Sequence, residues 1–138
     1  MTNFTPKLTN VSGVDGTVTE GYYAVEANGT VTFTAQIVAK HETNATSSGG
    51  FGLTLPVPAK TGTRVVFNLE YDGRDADGGV WAGNAIMWAG SDGKSIDRMR
   101  TPGTTNASAL RNITHMYGDA EGATDAEIIT VSGSYIKA

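Results

Sequence analysis

Apolar and polar residues alternate along most of this chain. The clearest run is Thr30 to Lys40: Val31, Phe33, Ala35, Ile37 and Ala39 share one parity, Thr32, Thr34, Gln36 and Lys40 the other, and Val38 is the exception. A period of two with one apolar side predicts a half-buried strand with Phe33 and Ile37 in the core. Thr17 to Ala27 is a second β-rich run, and Asn28-Gly29 between them predicts a hairpin with a type I′ turn, in which both central residues take positive φ. Phe51, Leu53 and Leu55 alternate again before Pro56 and Pro58 stop the strand. Arg64 to Tyr71 puts Val65, Phe67, Leu69 and Tyr71 on an inner face.

Val80 to Ala89 is apolar enough for a central strand. Trp81 and Trp88 differ in parity, so the two indoles face opposite sides unless a bulge at Gly83 resets the phase. Ser95 to Arg100 predicts a short strand carrying Ile96 and Met99. Ala109 to Tyr117 is ambiguous: Leu110, Ile113 and Tyr117 have helical spacing, but the Thr-rich setting favours a strand. Ala126 to Lys137 closes the series with Ile129, Val131 and Tyr135 on one face and Gly133 as a possible bulge. Turn signals fall roughly every eight to twelve residues between about eight strands, the pattern of a single-domain antiparallel β-sandwich over 17–138. Residues 1–16 scatter Phe4, Pro6, Leu8 and Val11 among polar residues and form either an N-terminal arm or an edge strand.

Composition narrows the function classes. Of 138 residues 39% are hydrophobic and 17% charged, too apolar for a disordered chain, and the 18 glycines suit many tight turns. The net charge is −4 without a run of Lys or Arg, which argues against a nucleic-acid surface. Cys is absent, which removes disulfides, thiolate metal sites and Cys nucleophiles. Met1 is followed by TNFTPKLTN, with neither a basic start nor an apolar h-region, and no transmembrane stretch occurs, so cytoplasmic synthesis without a membrane partner is the expectation. The sequons at Asn10, Asn28, Asn44, Asn106 and Asn112 then read as by-products of a Thr- and Asn-rich composition.

Candidate chemistry is sparse. Gly93-Lys94-Ser95 lacks the leading glycine of a phosphate loop, whose place is taken by Trp88. Ser91 lacks the context of a nucleophile elbow. His41 and His115 stand far apart without ligand partners. Asp72, Asp75 and Asp77 before Gly78 form a weak calcium-loop candidate, because turn-borne carboxylates and carbonyls suit that ion; an EF-hand would need a ligand where Gly73 stands. Glu26, Glu70, Asp97 and Glu127 fall on predicted strands, but nothing selects a pair for glycoside hydrolysis. No cofactor and no enzymatic activity are expected. Tyr22, Tyr23, Trp81, Trp88, Tyr117 and Tyr135 form either core and interface or a sugar-stacking platform. His41 to Gly50 is a polar loop, with His41, Glu42 and Asn44 as candidate partner contacts beside Phe4, Pro6 and Leu8 of the N-terminal segment.

Gly21-Tyr22-Tyr23, Asn28 to Phe33, Leu53 to Ala59 and Ile129 to Ile136, in that order, resemble the jelly-roll modules of tailed-bacteriophage virion proteins. The resemblance spans most of the chain in short, degenerate pieces. It implies a jelly-roll sandwich, commonly trimeric, on a virion surface assembled in the host cytoplasm, without catalytic residues. It implies one of two uses. The first is a capsid decoration or cement protein bound to the major capsid protein or neighbouring virion proteins. The alternative is a receptor- or carbohydrate-binding head of a tail or fibre, with a host-surface glycan as ligand.

Overall fold

The computed structural model describes residues 1–12, 17–39, 44–72, 80–102, 110–113, 115–117 and 127–138. The strands are β1 (Thr2–Phe4), β2 (Leu8–Thr9), β3 (Thr17–Val25), β4 (Thr30–Ala39), β5 (Asn44–Thr46), β6 (Gly52–Thr54), β7 (Val65–Asp72), β8 (Val80–Met87), β9 (Ser95–Ile96), β10 (Arg98–Pro102), β11 (Leu110–Asn112), β12 (His115–Tyr117) and β13 (Ile128–Ile136). They form an eight-stranded sheet in the order β1-β3-β4-β13-β7-β8-β10-β11, a three-stranded sheet β2-β6-β9 and a two-stranded ribbon β12-β5. Every pairing is antiparallel. The chain is thus an all-β antiparallel sandwich with unequal layers.

Alternation builds the core. Val31, Phe33, Ala35 and Ile37 of β4 are buried, as are Phe67, Leu69 and Tyr71 of β7 and Ile129, Val131 and Tyr135 of β13. Phe51, Leu53, Leu55 and Ile96 meet them from the small-sheet side in one cluster. At its centre Phe33, Phe67 and Tyr135 pack edge to face, with centroids 5.3, 5.9 and 6.1 Å apart. Gly133 is not a bulge: β13 keeps register with β4 through Gly133↔Phe33. The glycine is there because a Cβ would lie 2.8 Å from Cδ1 of Phe67.

The β3–β4 hairpin forms where Asn28-Gly29 predicts it, but its turn is not type I′. Gly29 N donates to Glu26 O at 2.9 Å and Glu26 N to Thr30 O at 2.8 Å. Gly29 alone of the Asn-Gly pair has positive φ, 87°. This is a type I turn followed by a left-handed glycine. Asn28 uses its side chain instead, with Oδ1 accepting from Thr30 N at 2.9 Å.

Ser95 to Arg100 is not one strand either. The chain bends at Asp97, so Ile96 pairs with Leu53 in the small sheet while Arg98 pairs with Ile86 in the large one. Asp97 holds the corner twice. Its N donates to Ile86 O at 2.8 Å, and its Oδ2 accepts from Trp88 N at 2.7 Å. Beside it Met99 N donates to Phe51 O, Phe51 N to Ile113 O and Ile113 N to Met99 O, at 3.1, 2.9 and 2.8 Å. This three-way junction joins the layers along one side. Within Ala109 to Tyr117, Leu110–Asn112 and His115–Tyr117 are short strands, β11 and β12, while Ala109 and Thr114 lie outside the described residues.

Phe4, Pro6 and Leu8 serve the chain's own fold. β1 pairs with β3 and β2 with β6, so this segment supplies strands to both sheets. Phe4 packs on Gly21 and lies edge-on to Tyr23 at 5.9 Å, Pro6 is buried, and Leu8 packs against the core.

Two measurements test this account. Asp97→Ala removes the acceptor of the Trp88 amide and is expected to cost about 1–2 kcal/mol in urea unfolding, whereas Asp97→Asn retains an acceptor and costs clearly less. Tyr135 donates to Val57 O at 2.7 Å and accepts from Val57 N at 3.3 Å; burial, opposed by the bond from Val57 N–H and aided by Tyr23, pushes its phenol from 10.0 up to about 12. A raised folded-state pKa means that this contribution to stability is full below pH 10 and is lost as pH rises through about 12. Tyr135→Phe is expected to cost about 1 kcal/mol at neutral pH and to flatten the alkaline loss of stability relative to the parent chain.

Candidate functional site

Because β3, β4, β13, β7, β8 and β10 stay in register, every second residue of each reaches the outward face of the large sheet. The register fixes which side chains lie abreast. One transverse row runs Glu20–Gln36–Thr130–Glu70–Ala82. The next runs Tyr22–Thr34–Ser132–Asn68–Asn84–Arg100–Asn112. These rows form a polar strip. On one flank Val18, Val38, Ile128, Asp72 and Val80 form a mostly apolar row, which accounts for the break in alternation at Val38.

The middle of the strip is a shallow depression of about 300 Å³ lined by Asn68, Leu69, Glu70, Ala82, Thr130 and Ser132. Ala82 keeps its floor low between taller neighbours. The side chains of Asn68, Glu70, Thr130 and Ser132 make no hydrogen bond within the chain among the described residues. Beside them Asn84 Oδ1 is sealed from solvent without a hydrogen-bond partner. By contrast, Thr32 and Ser134, just outside the strip, pair their hydroxyls at 3.0 Å.

At the β8–β10 end stands Trp88, with the Arg64 and Arg100 guanidiniums 4.7 and 5.1 Å from its ring centroid. Arg100 Nε donates to Asn112 Oδ1 at 2.9 Å, which fixes that guanidinium. Arg98 is the row neighbour of Ile86, which is 4% exposed despite its outward parity. Neither Arg64 nor Arg100 pairs with a carboxylate among the described residues. The strip therefore has a carboxylate, Glu70, near its middle and a group of guanidiniums at one end. Gly83 sets how closely β10 approaches β8 here, since a Cβ on it would lie 1.9 Å from Arg100 O.

Among the described side chains the aromatic residues do not gather into one platform; the Tyr117 side chain lies outside them. Trp81 stacks inward on Tyr71 at 5.7 Å, while Trp88 faces out, and β7–β8 pairing runs without a bulge from Val65↔Met87 to Asp72↔Val80. Tyr135 and Tyr23 are spent on internal packing, and Tyr22 is exposed on β3, bonded to Glu20. The four carboxylates considered for hydrolysis are dispersed. Glu26 lies in the hairpin turn, Glu70 on the strip and Asp97 at the corner, while Glu127 is fully buried and accepts from Tyr71 OH at 2.6 Å.

Of the proposed calcium loop, Asp72 ends β7; Asp75 and Asp77 lie outside the described residues, as do His41 and Glu42. Asn44 begins β5, opposite Tyr117. No group of three or more metal-ligating side chains occurs among the described residues. Gly93-Lys94-Ser95 is a turn into β9, with Lys94 N bonded to Asp92 Oδ1 at 2.9 Å.

Gly83→Ala is expected to force β8 and β10 apart and to cost about 1–3 kcal/mol, read by thermal or urea unfolding. Amide hydrogen exchange should then accelerate selectively in β10 and β11. No family model matches this chain, and comparison with curated proteins and with solved structures likewise gives no match.

Proposed function

We propose that this chain is a non-enzymatic structural module of a virion surface, a capsid decoration or cement protein that attaches as a symmetric homotrimer. The resemblance to phage jelly-roll modules motivates the setting. The observation that carries the assembly is the β1 edge of the large sheet. β1 pairs with β3 on one side and ends the strand order on the other. A terminal strand presents a row of N–H and C=O groups to any strand laid beside it.

That same edge concentrates apolar exposure. Met1 before β1, and Val18, Tyr22 and Val25 on the adjoining β3, are exposed, four of the seven large hydrophobic residues exposed among the described residues. Backbone groups ready for pairing, next to exposed valine and tyrosine, suit burial against a neighbouring subunit or capsid protein. Closed rotational symmetry would bury one such edge per subunit and multiply weak attachment to the particle by avidity.

Light scattering on the purified protein is expected to give a trimer. Immunogold labelling is expected to decorate the heads of virions, and the protein should co-sediment with empty capsids. The double variant Val18→Lys, Val25→Lys replaces exposed residues, so its unfolding free energy should change by about 0.5 kcal/mol or less per site while the trimer dissociates. A wild-type monomer that leaves capsids bare would sink the proposal.

A further inference from the structure

We propose that the polar strip on the large sheet binds a carboxylated sugar, its hydroxyls over the Asn68–Glu70–Thr130–Ser132 depression and its carboxylate at Arg100 and Arg64. The inference does not depend on the virion setting, and it uses a surface away from the β1 edge.

Four features of the strip select that ligand. The first is unspent hydrogen-bonding capacity. Glu70 can accept from a pair of adjacent hydroxyls, Asn68 can donate and accept, and Thr130 and Ser132 can do either. None of these side chains is engaged within the chain among the described residues. A hydroxyl-rich ring meets such a set without leaving polar groups unpaired.

The second is shape. The depression is open and low-floored, with a volume of about 300 Å³. It lies on β13, β7 and β8, with β10 next in the same row. Asn68 and Arg100 are two strand spacings apart, about 10 Å. A ring seated over Asn68 therefore brings a neighbouring ring, or an acidic substituent, to the arginines.

The third is charge. The chain carries a net charge of −4, yet the Arg64 and Arg100 guanidiniums both lie against Trp88 at this end of the strip. Arg64 and Arg100 have no carboxylate partner among the described residues. A guanidinium takes a carboxylate through paired N–H bonds, and stacking on Trp88 limits the freedom that binding must remove. Glu70 near the middle and Glu20 at the far end of its row repel an acidic group, so the gradient fixes one orientation of the ligand.

The fourth concerns the indole. With guanidiniums standing over its ring, Trp88 acts as a support for them rather than as a stacking surface for a neutral sugar. This favours an acidic sugar over a neutral one.

The test is an NMR titration of the isotope-labelled full chain. The probes are tri-galacturonate and sialyllactose, with methyl-esterified tri-galacturonate and lactose as their uncharged counterparts. At least one carboxylated probe should shift amides of β7, β8, β10 and β13, and its uncharged counterpart should bind at least about tenfold more weakly. Arg64→Gln with Arg100→Gln should lower affinity for the carboxylated probe by about tenfold or more, and raising the salt concentration should weaken it too. Asn68→Ala with Thr130→Val should weaken binding while sparing the thermal midpoint.

Silence of both acidic probes at about 10 mM, well beyond a millimolar dissociation constant, would overturn the proposal. So would equal binding of the uncharged counterparts, or unchanged binding by the arginine variant. A thymidine oligonucleotide or a Glu-rich peptide that binds the strip more tightly than either sugar acid would assign it to a different partner, and the proposal would fall.

Discussion

The register of β13 is the constraint on which this molecule depends. β13 lies between β4 and β7, bonded to both, and gives Ile129, Val131 and Tyr135 to the core. Tyr135 completes the aromatic group with Phe33 and Phe67, one ring from each of three adjacent strands. Its hydroxyl reaches across to Val57 and pins the Pro-rich segment that follows β6. A slip of one residue would turn those side chains to solvent and bring Thr130, Ser132 and Ser134 into the interior. The same register sets Thr130 beside Glu70 and Ser132 beside Asn68 on the outward face. Core and polar strip are two sides of one alignment.

Much of this architecture could be read from residue order, because a strand with one buried face writes its period into the chain. Phe33, Ile37, Phe67, Leu69, Leu53 and Val131 are buried as alternation predicts. The opposite facing of Trp81 and Trp88 followed from parity alone. What local pattern did not show was geometry set by partners. Asn28-Gly29 announces a hairpin, but Asn28 Oδ1 capping Thr30 N decides the turn. The bend at Asp97 has no composition signal, since it exists to let one segment pair with β6 and then with β8. β5 is a three-residue strand within a polar stretch, paired with the equally short β12 and bridged to Ser12 through Thr46.

The outward face was the least legible part. Asn68, Asn84, Thr130, Ser132 and Arg100 are spread over three distant stretches of chain, and none stands in a motif. They become neighbours only once β13 is placed between β4 and β7, an order that no local sequence signal specifies. Asn68 and Glu70 look like ordinary solvent-facing residues of an alternating strand until the cross-strand partners are known. The Phe4, Pro6 and Leu8 set shows the reverse. Its scattered apolar residues allowed either a free arm or a strand, and pairing with β3 and β6 uses them at home.

A central strand that comes late in the chain has a consequence for synthesis. While residues 128–136 remain inside the ribosome, β4 and β7 are each one partner short, and the sheet exists as two open fragments. Phe33 and Phe67 then lack the ring that later covers them. The contacts that close the fold join residues about a hundred positions apart, such as Thr32 with Ser134, so closure pays a long-loop entropy cost in a single late step. Until that step the nascent chain displays two unpaired strand edges with apolar faces, the form most prone to pairing with another copy.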